Sequence, residues 1–293
     1  MDHAVQALSI GAYRFHCVAH GDGQPVLFVH GSVSDHRTWQ AQIDEFAGRF
    51  RAIAYSRRYH WPNDPIEDGA DYAMLEHVDD LEAIIATLGI APAHLVGHSY
   101  GAFLCLLLAV RRPSVVRSLV LTEPPIVTLF VSNVPRPTEF LKLLVTRPRA
   151  ATAILKFGAK GLAPATVAFR AGDIEKGLRT FGTAVLGREA FRSLTDTRMG
   201  QVQANLIKAE FLGSGFPPLN GAQVRRIASP TLLVTGERSP SLFHRLADGL
   251  QELLPRVQRV TIPRASHMVH EDNAVAFNTE ALSFLHRCSK LSC

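Results

Sequence analysis

Six short apolar runs constrain this chain more than anything else in it. They read "VLFVH" at 26–30, "AIAYS" at 52–56, "HLVGH" at 94–98, "SLVLT" at 118–122, "TLLVT" at 231–235 and "RVTIP" at 259–263. Each has the length of a strand, and most are apolar at successive rather than alternate positions. Strands of that kind are covered on both faces, as in a parallel sheet with helices above and below. The spacers supply helices: an amphipathic stretch near 37–48, a helix over 75–89 ending at Gly89, "YGAFLCLLLAVRR" stopped by Pro113, a stretch at 241–254 and a last helix near 273–287. The chain therefore reads as an α/β fold.

Between the fourth and fifth runs the pattern stops. Residues 125–221 offer no convincing strand, and segments such as "RPTEFLKLLV" and "PRAATAILKFGAKG" read as short helices broken by Gly and Pro. The expected organisation is a core of residues 1–124 and 222–293 interrupted by a helical cap, 125–221. Its Phe140, Leu143, Leu144, Phe157, Phe181 and Phe211 suffice to pack helices and cover a pocket. Charge is concentrated there too: residues 136–226 carry 15 Lys and Arg against 6 Asp and Glu, while the rest carries 16 against 20. The basic residues are scattered and no helix-turn-helix, zinc-finger or RNP-like signature accompanies them, so no nucleic-acid partner is expected.

No apolar run approaches the roughly 18 residues that span a bilayer, and "MDHAVQALSIG" has neither the basic nor the apolar region of a signal peptide. The expectation is a cytoplasmic protein with no membrane partner. Cys17, Cys105, Cys288 and Cys293 are dispersed without a CxxC pair and read as reduced thiols. The 13 histidines include no HExxH and no paired Cys/His spacing, so no metal and no cofactor are expected.

Chemistry enters at "GHSYG", where Ser99 follows a buried strand, precedes a helix and lies between Gly97 and Gly101. This is G-x-S-x-G in the context that gives it meaning: a sharp strand-to-helix turn that aims the hydroxyl outward and leaves no room for neighbouring Cβ atoms. A serine hydroxyl needs a base to take its proton and donors to hold the oxyanion that forms. His267, in "ASHMVHED" after the last strand, is the expected base; His270 is the rival, read as packing or solvent-facing. The backbone N–H of Tyr100 is one expected oxyanion donor. The second comes from the loop after "VLFVH", from Ser32 with Val33 next in line, where Gly31 allows a close approach. His30 and His98 read as structural, and Val33, Trp39 and Trp61 as lining or supporting the pocket.

On these motifs the chain resembles the α/β-hydrolase superfamily over essentially its whole length. The resemblance implies a mostly parallel eight-stranded sheet flanked by helices, with the cap after the sixth strand. It also implies an acid in a "GxxD" turn after the seventh strand, but here that turn is "GERS" and offers only Ser239. Haloalkane dehalogenases and zearalenone-type lactonases of this superfamily place the acid after the sixth strand. In this chain "SLVLTEPP" puts Glu123 there, with Glu237 as the alternative. Dehalogenases and epoxide hydrolases use an aspartate where Ser99 stands, and epoxide enzymes use cap tyrosines; the five tyrosines here, Tyr13, Tyr55, Tyr59, Tyr72 and Tyr100, all precede the cap. The expected activity is hydrolysis of a small carboxylic ester or lactone by Ser99, His267 and Glu123. A C–C bond hydrolase, a cofactor-free dioxygenase and a non-catalytic ligand receptor stand as alternatives, and the oligomeric state stays open, a homodimer included.

Overall fold

A computed structural model describes residues 4–67, 69–132 and 136–290; Cys293 lies outside them. Eight strands form one sheet: β1 (Gln6–Ile10), β2 (Tyr13–His20), β3 (Gln24–Val29), β4 (Phe50–Tyr55), β5 (Ala93–His98), β6 (Val116–Thr122), β7 (Thr231–Gly236) and β8 (Val257–Ile262). Their spatial order is β1-β2-β4-β3-β5-β6-β7-β8. The first two strands form a hairpin that adds antiparallel to β4, and every other pairing is parallel. The continuous apolar runs are explained by this order, because β5 and β7 are interior and buried at every position.

Alternate residues feed two separate cores. Leu27, Val29, Leu95, Leu119 and Leu233 point to one face and pack with α2 (Met74–Thr87) and α3 (Tyr100–Arg111). Val26, Phe28, Val96, Val120 and Val234 point to the other, against α1 (Gln40–Phe46) and the terminal helix Ala274–Ser289. Between β6 and β7 the chain makes only helices among the described residues. These are a short 3-10 turn at Val127–Leu129, α4 (Pro137–Thr146), α5 (Pro148–Phe157), a π-helical turn at Gly158–Leu162, α6 (Ala163–Arg170), α7 (Ile174–Leu186), α8 (Arg188–Arg192), α9 (Asp196–Ala204), α10 (Lys208–Leu212) and α11 (Gly221–Val224). The insertion has a small core of its own, Ala165, Phe169, Leu178 and Val202, against which Phe181, Phe211 and Val33 pack. After β7 come α12 (Ser241–Gln251), then β8, α13 (Val269–Asp272) and α14, the terminal helix already described. No helix among the described residues is long and apolar enough to cross a membrane.

The register brings the carboxyl ends of the parallel strands to one level. His98 pairs with Thr122 and Thr122 with Val234, so Ser99 and Glu123 emerge side by side next to the end of β7. The helix that starts at Tyr100 packs very close to β3: a Cβ at Gly101 would lie 2.1 Å from the Val29 carbonyl oxygen. Gly101→Ala is therefore expected to destabilise the protein by about 3 kcal/mol, the upper end of overpacking costs. Gly158→Ala, whose Cβ meets nothing within 4 Å, is expected to stabilise it by about 0.5 kcal/mol. Urea midpoints of the two variants against the parent check both.

Candidate active site

Ser99 sits at the turn from β5 to α3 with φ 49° and ψ −119°, a backbone conformation that side chains other than glycine rarely take. Its amide donates to the Thr122 carbonyl at 2.8 Å and its carbonyl accepts from Phe103 at 3.1 Å, which fixes the strained turn between sheet and helix. The N–H of Tyr100 belongs to the first helical residue and has no acceptor inside the helix. Ser32 and Val33, from the loop after β3, line the same cavity as Ser99 and His267. Val33 is held at φ 47°.

A buried cation holds that loop. Arg57, after β4, donates to the carbonyls of His30 and Gly31 at 3.2 and 3.0 Å and to the Tyr72 hydroxyl at 2.6 Å, and its guanidinium lies 4.3 Å from the Tyr100 ring centre. His30 completes the brace, accepting the Arg57 N–H at 2.8 Å and donating to the Gly31 carbonyl at 2.9 Å. These contacts to the His30 and Gly31 carbonyls fix the position of the loop that carries Ser32 and Val33.

His267, in the loop after β8, is buried; its ring stacks on Phe243 at 4.1 Å, and its carbonyl accepts from His98 Nε2 at 2.9 Å. Glu123 leaves the end of β6 at φ 50° and is 1% exposed. One of its oxygens accepts the Gly236 N–H at 2.8 Å and the other lies 2.5 Å from His267 Nδ1. Gly236 permits this approach because a Cβ there would sit 2.4 Å from the Ser266 carbonyl oxygen. Ser239, the residue in the "GERS" turn where the superfamily pattern has its acid, sits beside the Glu123 carboxyl instead. Glu237 is exposed and accepts the Arg264 N–H at 2.7 Å, closing the turn after β8.

Burial dominates the electrostatics of the pair. It pushes the Glu123 carboxyl up to about 8, against the Ser239 hydroxyl and the Gly236 amide, and pushes His267 down to about 3. Both shifts favour the uncharged partners, and the pair titrates as a unit. Loss of one proton from it leaves a carboxylate facing Nδ1–H, with Nε2 free to accept a proton.

The cavity in front of these groups is tight, about 60 Å³, and is closed by Leu178, Phe181, Val185, Phe191 and Val202 of the insertion. Two charged residues that sequence reasoning missed reach this region. Arg198 of α9 lines the cavity and is paired with Glu271 at 3.1 Å. Glu210 of α10 is buried 3.6 Å from the Arg57 guanidinium, with neither oxygen in a hydrogen bond. Desolvation raises its carboxyl, while Arg57, the Ser32 side chain and the Val33 amide oppose the rise. Neither residue carries a motif, and the Arg57 anchor lies in "YSRRYH", directly after β4.

Two expected pocket residues stand elsewhere. Trp39 is fully buried in the core between Phe28 and His270, stacked on the latter at 4.1 Å, and supports the site only from behind. Trp61 is 39% exposed, capped by Arg37 at 3.7 Å and stacked on His36. His270 is buried in packing, with Nε2 2.9 Å from the Thr38 hydroxyl. No cluster of three or more His, Cys, Asp or Glu suited to a metal ion occurs among the described residues.

The chain belongs to the α/β hydrolase fold family, whose model matches residues 24–274. It is similar to epoxide hydrolase 3 of Xenopus tropicalis, 26% identical over 298 residues that cover 97% of this chain and 77% of that protein. It is also similar to 2-(acetamidomethylene)succinate hydrolase of Mesorhizobium japonicum, 26% identical with 92% and 91% covered. Among solved structures, carboxylesterase CesB from Bacillus subtilis superposes with a TM-score of 0.72 at 20% identity, covering 99% of this chain and 93% of that one.

The buried carboxyl makes two linked expectations. Its raised pKa means that Glu123 keeps its proton in the folded protein, where the unfolded chain has lost it, between about 4.5 and about 8. That contribution to stability is complete below about 4.5 and fades as pH rises through about 8. Glu123→Gln, which cannot titrate, should therefore gain on the parent in urea midpoint as pH goes from 5 to 9 (roughly the two sides of that window). In activity the same variant should lose about 10³- to 10⁴-fold in kcat, as when a triad carboxylate is neutralised. Glu237→Gln should stay within about threefold of the parent.

Proposed function

We propose that this protein is a serine hydrolase that cleaves a carboxylic ester or lactone through an acyl-enzyme. The observation that carries the reading is the Glu123–His267 hydrogen bond of 2.5 Å, buried behind a strained Ser99 that shares one cavity with His267. Ser99 Oγ attacks the carbonyl carbon while His267 Nε2 takes the hydroxyl proton. The carboxylate of Glu123 holds the ring by Nδ1–H and stabilises the imidazolium. The oxyanion receives the N–H groups of Tyr100 and Ser32, with Val33 beside them. The tetrahedral intermediate collapses, and the alkoxide leaves with the proton from His267. Water then attacks the acyl-enzyme, gives its proton to His267 and releases the acid, and Ser99 recovers its proton. In a lactone the leaving alkoxide stays tethered to the acyl group.

The epoxide-hydrolase relatives do not redirect this reading. A hydroxyl at residue 99, where the resemblance implies an aspartate in epoxide enzymes, suits an acyl-enzyme, and no tyrosine lies in the insertion to polarise an oxirane. The three buried free thiols, Cys17, Cys105 and Cys288, suit a reducing cytoplasmic setting.

The test is a panel of p-nitrophenyl esters and lactones with no added cofactor. Turnover should show an acyl-enzyme burst, and Ser99→Ala or His267→Ala should lower kcat by about 10⁵- to 10⁶-fold. Ser99→Ala should do so with Tm unchanged and His267→Ala with some loss of Tm, because it leaves the buried Glu123 carboxyl without its partner. In the parent, kcat/KM should rise with pH to a plateau with an apparent pKa near 8, set by the proton held in the Glu123–His267 pair. Near-normal turnover in Ser99→Ala would overturn the mechanism, and substrate-dependent oxygen uptake would indicate a dioxygenase instead.

A further inference from the structure

A second, much larger concavity lies on the far side of α7 from Ser99. Its volume is about 860 Å³, and Lys156, Lys160, Arg179, Arg188, Arg192 and Arg238 line it with no Asp or Glu among the lining residues. Arg179 is paired with Glu175 of its own helix at 2.6 Å, and Arg238 lies close enough to Asp272 to oppose the rise that burial gives that carboxyl. Lys156, Lys160, Arg188 and Arg192 make no ion pair among the described residues. Like charges gathered around a concave surface repel one another and focus a positive potential into it, which multivalent anions relieve. The lining also includes Phe157, Phe191 and Leu242, an apolar floor beside the charges.

Position ties this groove to the catalytic pocket. Phe191 lines both, and α7 divides them, with Phe181 and Val185 on the pocket side and Thr180 and Thr183 on the groove side. Ser241 and Leu242 of the groove immediately precede Phe243, which stacks on His267. The pocket at Ser99 is far below the roughly 300–1,000 Å³ of small-molecule sites, whereas the groove falls inside that range. Lys160 is brought to the groove by the π-helical turn, a local irregularity often found at functional sites.

We propose that this groove binds the multiply charged anionic portion of the substrate, a polyphosphate or polycarboxylate group, while a short acyl end passes Phe191 to reach Ser99. The proposal deepens the ester-hydrolase reading and rests on it for the link to Ser99; occupancy of the groove by an anion does not. Diffuse attraction by the insertion as a whole predicts no saturable site, whereas the groove does.

The experiment uses the full chain. Tripolyphosphate and citrate are titrated calorimetrically into Ser99→Ala at salt from about 0.01 M to about 0.15 M, over which the screening length falls from about 30 Å to about 8 Å. Saturable binding of either is expected, weakened about tenfold or more by Lys160→Glu/Arg192→Glu and unaffected by Lys142→Glu/Lys208→Glu, which makes the same charge change elsewhere on the insertion. Tighter binding of tripolyphosphate identifies a phosphate tail, and tighter binding of citrate a carboxylate tail. In the parent, kcat/KM for an ester with an anionic tail relative to its neutral analogue should fall about tenfold or more with Lys160→Glu/Arg192→Glu. Absence of saturable binding, or equal effects of the two double variants, overturns the groove. Failure to hydrolyse any ester, with binding intact, overturns the hydrolase reading instead.

Discussion

The hydrogen bond between Glu123 and His267 joins residues 144 apart in sequence, and it forms only where β6, β7 and β8 lie side by side with their ends level. A carboxyl that deep would be costly if left alone. It is accommodated because the Gly236 amide reaches it, Gly236 carries no Cβ, Ser239 is small and polar, and the His267 ring is clamped between Phe243 and the His98 side of the site. On the proposed reading, placing the acid at the end of β6 rather than β7 therefore involves both strands. The carboxyl is supplied by one, and the other gives up its own and offers an N–H in exchange.

The same strand ends hold the backbone strain. Among the described non-glycine residues, Val33, Tyr59, Ser99, Glu123 and Arg264 have positive φ, and Val33, Ser99 and Glu123 are three groups of the proposed site. Each such conformation costs on the order of 1–3 kcal/mol and persists only where surrounding contacts over-determine it. Ser99 and Glu123 follow buried parallel strands directly and are pinned by backbone hydrogen bonds to the next strand, Ser99 to Thr122 and Glu123 to Val234. Rigidity of the sheet is thus converted into direction at the site.

This division explains what the sequence revealed. Ser99, His267 and Glu123, which the structure brings together, could be proposed from the sequence because a strand end is a local feature, with an apolar run, a turn residue and a reactive side chain in fixed order. Helices over 75–89 and 273–287 were legible for a related reason and differ from Met74–Thr87 and Ala274–Ser289 only at their ends. The β1–β2 hairpin gave little signal because an edge strand such as β1 is mostly exposed and carries no buried run. Trp39 follows the loop after β3 and Trp61 the end of β4, but a large ring lowers its energy most by full burial or by stacking, and those contacts are made by residues distant in the chain. Arg198 and Glu210 lie on short helices whose orientation is set by tertiary packing, which a lone charge in a polar stretch does not announce.

The insertion must satisfy two opposed demands, and α7 separates them. In the proposed mechanism the Glu123–His267 pair depends on a dry environment, since water would screen the imidazolium that forms during attack. The cations of the neighbouring groove depend on water or on an anion. Along α7, Leu178, Phe181 and Val185 recur at the helical period toward the catalytic cavity, while Arg179, Thr180 and Thr183 recur toward the groove. In an ordinary surface helix the polar stripe simply meets solvent. Here a single amphipathic helix forms a wall, and its two stripes present an apolar chamber and a basic one on either side, with Phe191 at their junction. Adding charge to the insertion therefore need not wet the catalytic pocket, because the helix that carries part of that charge also seals it.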